Sequence, residues 1–334
     1  MNIVIVLQQM TIIFILIGIG ALLYKKEMLS ETTSRQISGI IVNVTNPALL
    51  ICSAFQEGPK ASLQTLGAAL IIYLLVYGIL IAAGCLIPRI LRVPSMYHYS
   101  YQMLTIFGNV GFIGIPLASA VLGNQSLIFV SIYNLIFNVL IYTFGISLLQ
   151  KAEARQLAAL AGTPSPACAE SACNKERDKH DKSVTSSRLK KLLNAGTISA
   201  AATIIFYLGN FHVPVIVSST LTYMGQATTL LSMLVLGASV AQMAWKDIFS
   251  HPKLYGFTLL RQILLPIGCI LLLKPFVKDS LIMNTLALML AVPAGNMPLM
   301  LSKQLHVDTD TISKGIILTT ILSLVTIPVV SLFL

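Results

Sequence analysis

Two stretches of this sequence join side-chain amides to residues that interrupt helices. One is Asn109-Val110-Gly111-Phe112-Ile113-Gly114-Ile115-Pro116-Leu117, the other Pro293-Ala294-Gly295-Asn296-Met297-Pro298-Leu299, and Pro116 and Pro298 stand 182 positions apart. A proline inside a helix removes one N–H and clashes with the preceding turn. The helices around Pro116 and Pro298, with Gly108, Gly111, Gly114 and Gly295 beside them, are therefore expected to unwind there. Unwinding frees backbone N–H groups and exposes positively polarised half-helix ends, which suit a carboxylate. Asn109 and Asn296 would add side-chain amides. Either proline alone is equally well explained as a simple kink; the pairing favours a site.

Further polar groups interrupt other apolar runs. Thr45-Asn46-Pro47-Ala48-Leu49-Leu50 forms a second polar break, and Gly225-Gln226-Ala227-Thr228-Thr229 occupies the corresponding place in the second half. Asn46 and Gln226 either face the same cavity or hydrogen-bond a neighbouring helix as structural glue. Asn134 and Asn138 read as packing residues. Arg261 is the one clearly basic residue within an apolar run, where charge is costly; it either attracts an anion or extends its long side chain to the interface. All twelve Asp and Glu residues fall in loops or at helix ends. No carboxylate is thus expected at mid-membrane to couple protons or sodium, although carbonyls and amides could hold sodium.

The elements that must position these groups are membrane spans. The chain is 56% hydrophobic and 10% charged, with mean hydropathy +0.83 over 334 residues. Such a composition cannot cover itself with polar surface in water. Apolar runs of about 20 residues suffice to cross a bilayer as helices, in which every backbone group is satisfied internally. The runs predict ten spans near 3–23, 36–55, 64–87, 98–122, 126–149, 193–209, 213–241, 254–273, 281–302 and 312–333. The first is too long and too poor in leading basic residues for a cleavable signal. Residues 1–149 form a first five-helix repeat and 193–334 a second. Between them, 150–192 contains Thr163-Pro164-Ser165-Pro166 and a charge run from Lys175 to Lys182, and reads as a flexible linker.

The net charge of +10 is read as topology. Lys and Arg number 18 on one side of the ten spans and 3 on the other. This places the linker in the cytosol and both termini outside the cell membrane. Five helices per half invert the second half relative to the first, an arrangement typical of transporters. No basic stripe interleaved with aromatics suggests nucleic acid. The five histidines are dispersed, with no metalloprotease pattern, paired catalytic carboxylates, phosphate loop or nucleophile elbow, so neither an enzyme nor a cofactor is expected. The five cysteines give no disulfide framework, and Cys168 and Cys173 lack zinc-knuckle spacing, so no metal site is expected.

At these residues the chain resembles the auxin efflux carrier family, which includes plant auxin carriers and bacterial permeases associated with malate and malonate. The resemblance rests on Asn46-Pro47-Ala48-Leu49-Leu50, the Asn109 to Leu117 segment, Leu260-Arg261-Gln262-Ile263-Leu264-Leu265-Pro266, Pro293 to Pro298 followed by Lys303, and Leu322-Ser323-Leu324-Val325-Thr326-Ile327-Pro328. It implies an all-α ten-helix fold as a five-plus-five inverted repeat. A scaffold would come from helices 1, 2, 6 and 7 and a transport domain from helices 3–5 and 8–10. The broken fourth and ninth helices would cross at Pro116 and Pro298. It further implies alternating access by an elevator motion and a homodimer. The short linker departs from the plant proteins, so a small dicarboxylate is expected rather than auxin. The candidate substrate-binding set is Asn46, Pro47, Asn109, Gly111, Pro116, Gln226, Gly295, Asn296 and Pro298, with Arg261 and Lys303 attracting the anion. A sodium-coupled symporter of bile-acid type and a transporter-like membrane sensor are the competing expectations.

Overall fold

A computed structural model describes residues 3–55, 61–160, 194–209, 213–242, 252–304, 307 and 309–334. Apart from one isolated backbone bridge, the described residues form only helices and connections. In chain order the helices are α1 (Ile3–Lys25), α2 (Glu31–Ile40), α3 (Asn46–Ala54), α4 (Leu63–Ile90), α5 (His98–Ile106), α6 (Ile115–Leu122), α7 (Leu127–Leu140) and α8 (Ile146–Leu160). The second half contributes α9 (Ala195–Gly209), α10 (Val215–Ala241), α11 (Pro252–Leu259), α12 (Leu265–Leu273), α13 (Ser280–Ala291), α14 (Asn296–Gln304) and α15 (Asp310–Ser331). Seven helical stretches among the described residues are long and apolar enough to cross a membrane, and three shorter apolar helices accompany them.

Local chemistry sets several helix starts. Ser30, Ser62 and Asp279 each accept a hydrogen bond from an amide in the first turn that follows, which satisfies otherwise orphaned donors. Large apolar side chains such as Ile15, Ile71, Leu74, Leu271 and Val325 lie exposed, as lipid-facing helices require.

Four spans contain a wide π-helical turn: Ile41–Thr45, Val110–Gly114, Ile141–Gly145 and Leu260–Leu264. In three, the next helix begins with an X-Pro pair, namely Asn46-Pro47, Ile115-Pro116 and Leu265-Pro266. The residue before each proline bonds the carbonyl five positions back. The wider turn gives the ring room against the preceding turn, so these prolines continue a helix rather than end it.

This changes where the interruptions lie. Pro116 sits in the first turn of α6 and Pro298 in the first turn of α14. The chain leaves helical geometry upstream, at Phe107–Asn109 and at Val292–Gly295. Proline is well tolerated at the start of α14 because an N–H there has no intrahelical partner in any case. The Gly225 to Thr229 stretch shows no interruption, since α10 runs unbroken and nothing in it removes a backbone donor. The expected linker also begins later than 150: α8 continues to Leu160, as its Ala, Leu, Gln and Glu residues favour. Residues 161–193, with Cys168, Cys173 and the charge run, lie outside the described residues.

Candidate functional site

The two interruptions meet. Gly108 and Ala294 form an antiparallel backbone bridge. The Asn109 amide donates to the Pro293 carbonyl at 2.8 Å and the Gly295 amide to the Phe107 carbonyl at 2.9 Å. Glycine is required for this approach: a Cβ on Gly295 would lie 2.7 Å from the Gly108 carbonyl oxygen. Unwound backbone in an apolar interior must find partners, and each break supplies them to the other.

The breaks differ in what they leave open. Around Asn109 nearly every amide is taken: Val110 donates to the Gly108 carbonyl, Ile113 and Gly114 to the Asn109 carbonyl, and Phe112 to the Asn109 side-chain oxygen at 3.2 Å. The Asn109 Nδ2 is buried without a partner. At the second break α14 opens with Asn296 and Met297, whose amides have no intrahelical carbonyl to bond, and Pro298 has no N–H. Open donors are thus concentrated at Asn109 Nδ2 and the start of α14. Asn296 itself is half-buried and Pro298 buried.

A second layer comes from α3 and α10. Asn46 Nδ2 donates to the Gly111 carbonyl at 3.0 Å, joining the π turn before α3 to that before α6, while Asn46 Oδ1 is buried and unpartnered. Pro47, beside it, is half-buried. A Cβ on Gly225 would lie 3.0 Å from the Leu49 backbone, and Ile41, Phe112 and Val235 cluster together. Those two contacts fix α10 antiparallel to this span. Between them lie Thr45 and Thr228, whose buried hydroxyls have no partner. Gln226, by contrast, is exposed, so from this helix the polar group turned inward is Thr228. Serine and threonine in helices usually bond the carbonyl four residues back, and these two do not.

Arg261 does not extend to the interface. It is 2% exposed, and its Nη1 donates to the Leu290 carbonyl at 3.1 Å and to the Val292 carbonyl at the end of α13. The adjacent Gln262 donates from Nε2 to the Thr319 carbonyl at 2.9 Å, and Thr319 Oγ1 accepts from the Ala294 amide at 3.2 Å. Gln262 and Thr319 therefore hold the second break in place. A signal for Gln262 was present, because an Arg-Gln pair in an apolar run is polar twice over. Thr45 and Thr228 offered none, being indistinguishable from other helical threonines. The Lys303 side chain lies outside the described residues. Within α7, Asn138 Nδ2 donates to the Asn134 carbonyl at 2.8 Å and to Asn134 Oδ1 at 3.2 Å.

One cleft of about 310 Å³ shares no residue with the breaks. Val93, Pro94, Tyr97, Tyr101, Lys253, Asp310 and Lys314 are among its walls. Lys314 pairs there with Asp310 at 2.7 Å and Lys253 donates to the Arg92 carbonyl at 2.7 Å. Its ammonium groups thus already have partners, whereas the breaks hold unmet donors and acceptors. The breaks are the stronger candidate site on that ground.

Residues 5–331 match the profile of a family described as membrane transport protein. No curated protein matches the chain.

Proposed function

Because the chain belongs to the membrane transport protein family, the auxin efflux carriers, we propose that it carries a small organic anion, such as malate, malonate or a related carboxylate, by alternating access. The family comprises membrane transporters rather than enzymes. The observation that carries the reading is the meeting of two broken spans, where Asn109 Nδ2 is buried without a partner and α14 begins with amides that no intrahelical carbonyl can take. Donors without partners in an apolar interior are costly, and an anion that accepts from them recovers that cost.

The seven long spans and the three shorter apolar helices support a reading with ten spans; in that reading they form a five-plus-five inverted repeat whose interrupted fourth and ninth spans cross. In this reading α1–α3, α9 and α10 form the scaffold and the remaining helices move as an elevator. The Asn46 bond to Gly111 then spans the two bodies and must exchange during the cycle. The excess of Lys and Arg in alternate loops supports a cytosolic linker with both termini outside, and the family resemblance supports pairing of two scaffolds in a homodimer.

The test is counterflow of labelled malate, malonate and indole-3-acetate into proteoliposomes, with and without sodium. Exchange of a small dicarboxylate independent of sodium is expected. A strict sodium requirement favours the symporter. No flux of any anion, with ligand-dependent binding of another protein at the linker, favours the sensor.

A further inference from the structure

An anion site beside a broken helix faces a difficulty of sign. The start of α14 presents positively polarised amides, but the end of α13 presents carbonyls equivalent to about half a negative charge. The two ends are separated only by Val292–Gly295. Left alone, they would oppose each other at a bound carboxylate. Three carbonyls at or just beyond the α13 end are taken, however. Arg261 Nη1 takes those of Leu290 and Val292, and the Asn109 amide takes that of Pro293.

The guanidinium that does this is buried and meets no carboxylate. Among the described residues the ion pairs are Arg35 with Glu31 and Lys314 with Asp310, and neither involves Arg261. Its Nε is buried without a partner. Its Nη2 lies on the side of the first break, 3.0 Å from where a Cβ on Gly108 would stand. A whole positive charge thus lies against both breaks, offset only by half-helix carbonyls. A buried charge left uncompensated is strongly unfavourable unless something of opposite sign arrives.

We infer that Arg261 sets the charge preference of the site: it neutralises the carbonyl end of α13 and leaves a net positive potential that only an anion compensates. It acts through the α13 end as a specificity-determining residue and need not touch the substrate. The inference rests on the anion-carrier reading and adds to it a graded dependence on substrate charge. Gln262, next in the chain, has a different task, holding the break through Thr319.

The experiment compares doubly charged malonate, singly charged malonamate and uncharged malonamide as competitors of labelled malonate in proteoliposomes, for the wild type, Arg261→Gln and Arg261→Lys. Gln can still donate to a carbonyl but carries no charge. Arg261→Gln is expected to weaken the apparent affinity by about tenfold per substrate charge, leaving malonamide unchanged. Arg261→Lys is expected to keep the wild-type order of the three ligands with lower turnover, and it carries the test if the Gln variant does not fold. Equal loss for all three ligands in Arg261→Gln, or loss of the order in Arg261→Lys, overturns the inference while the anion-carrier reading stands. If none of the three competes in the wild type and no anion is carried, both fall together.

Discussion

Among the glycines that bring backbone against backbone, two pairs of contacting segments do it for different ends. Where α1 crosses α10, a Cβ on Gly20 would run into the Leu234 carbonyl and one on Gly237 into the Ile17 carbonyl. The nearest atoms at both glycines are backbone atoms of apolar residues, so the contact is the small-residue packing that joins helices in lipid. Where the breaks meet, Gly295 lies somewhat less tight against Gly108, and the contact is a backbone hydrogen-bond pair surrounded by buried polar atoms without partners. Close approach alone marks architecture. Close approach with unmet hydrogen-bonding capacity is what the proposed ligand site rests on.

The comparison is broken most forcefully at its glycines. Gly295→Ala should abolish counterflow, because its Cβ must displace the Gly108 carbonyl and separate the breaks. Gly237→Ala should instead lower the melting temperature in detergent, while the protein that remains folded binds substrate with wild-type affinity. Retained transport in the first variant, or altered affinity in the second, would remove the distinction.

Pro116→Ala comes next in size. It restores an N–H that can close the π turn before α6 into a regular α turn, and uptake should fall about tenfold with membrane insertion intact. Pro298→Ala should do less, because the α14 start already carries open amides; initial uptake rates for the two variants give the order. Asn109→Ala removes both the cap on Phe112 and the free Nδ2, and a rise of about tenfold in the substrate concentration for half-maximal uptake is expected. Thr45→Val and Thr228→Val should be smallest. Removing an unpartnered buried hydroxyl leaves stability unchanged or slightly raised, so thermal melts should not fall, and affinity should weaken only a few-fold. Gln226→Ala should change neither.

These predictions follow the line between what the residues disclosed and what they concealed. The broken spans were legible because glycine and proline act locally: their backbone consequences follow from covalent structure. The locations of the breaks were less so. The π turns let Pro47, Pro116 and Pro266 sit inside continuing helices, and the interruptions lie upstream of Pro116 and Pro298 instead. Gln226 and Thr228 differ by two positions, and it is Thr228 that is buried and Gln226 that is exposed, which reflects helix rotation. The facing of α10 against α3 is set by the fit of Gly225 to Leu49 and not by the polarity of either side chain. Arg261 was conspicuous as a charge in an apolar run, yet its partners are carbonyls about 30 residues away, a long-range contact that no local pattern encodes. The seven long spans needed nothing beyond hydropathy.

The central claim is that an anion is held where the two breaks cross. A crystal structure with a bromine-substituted malonate, located by its anomalous signal, tests it most directly. The account predicts the signal beside Asn109 and the first turn of α14. A signal confined to the cleft of Tyr97, Tyr101, Lys253 and Lys314, with nothing at the breaks, would contradict it.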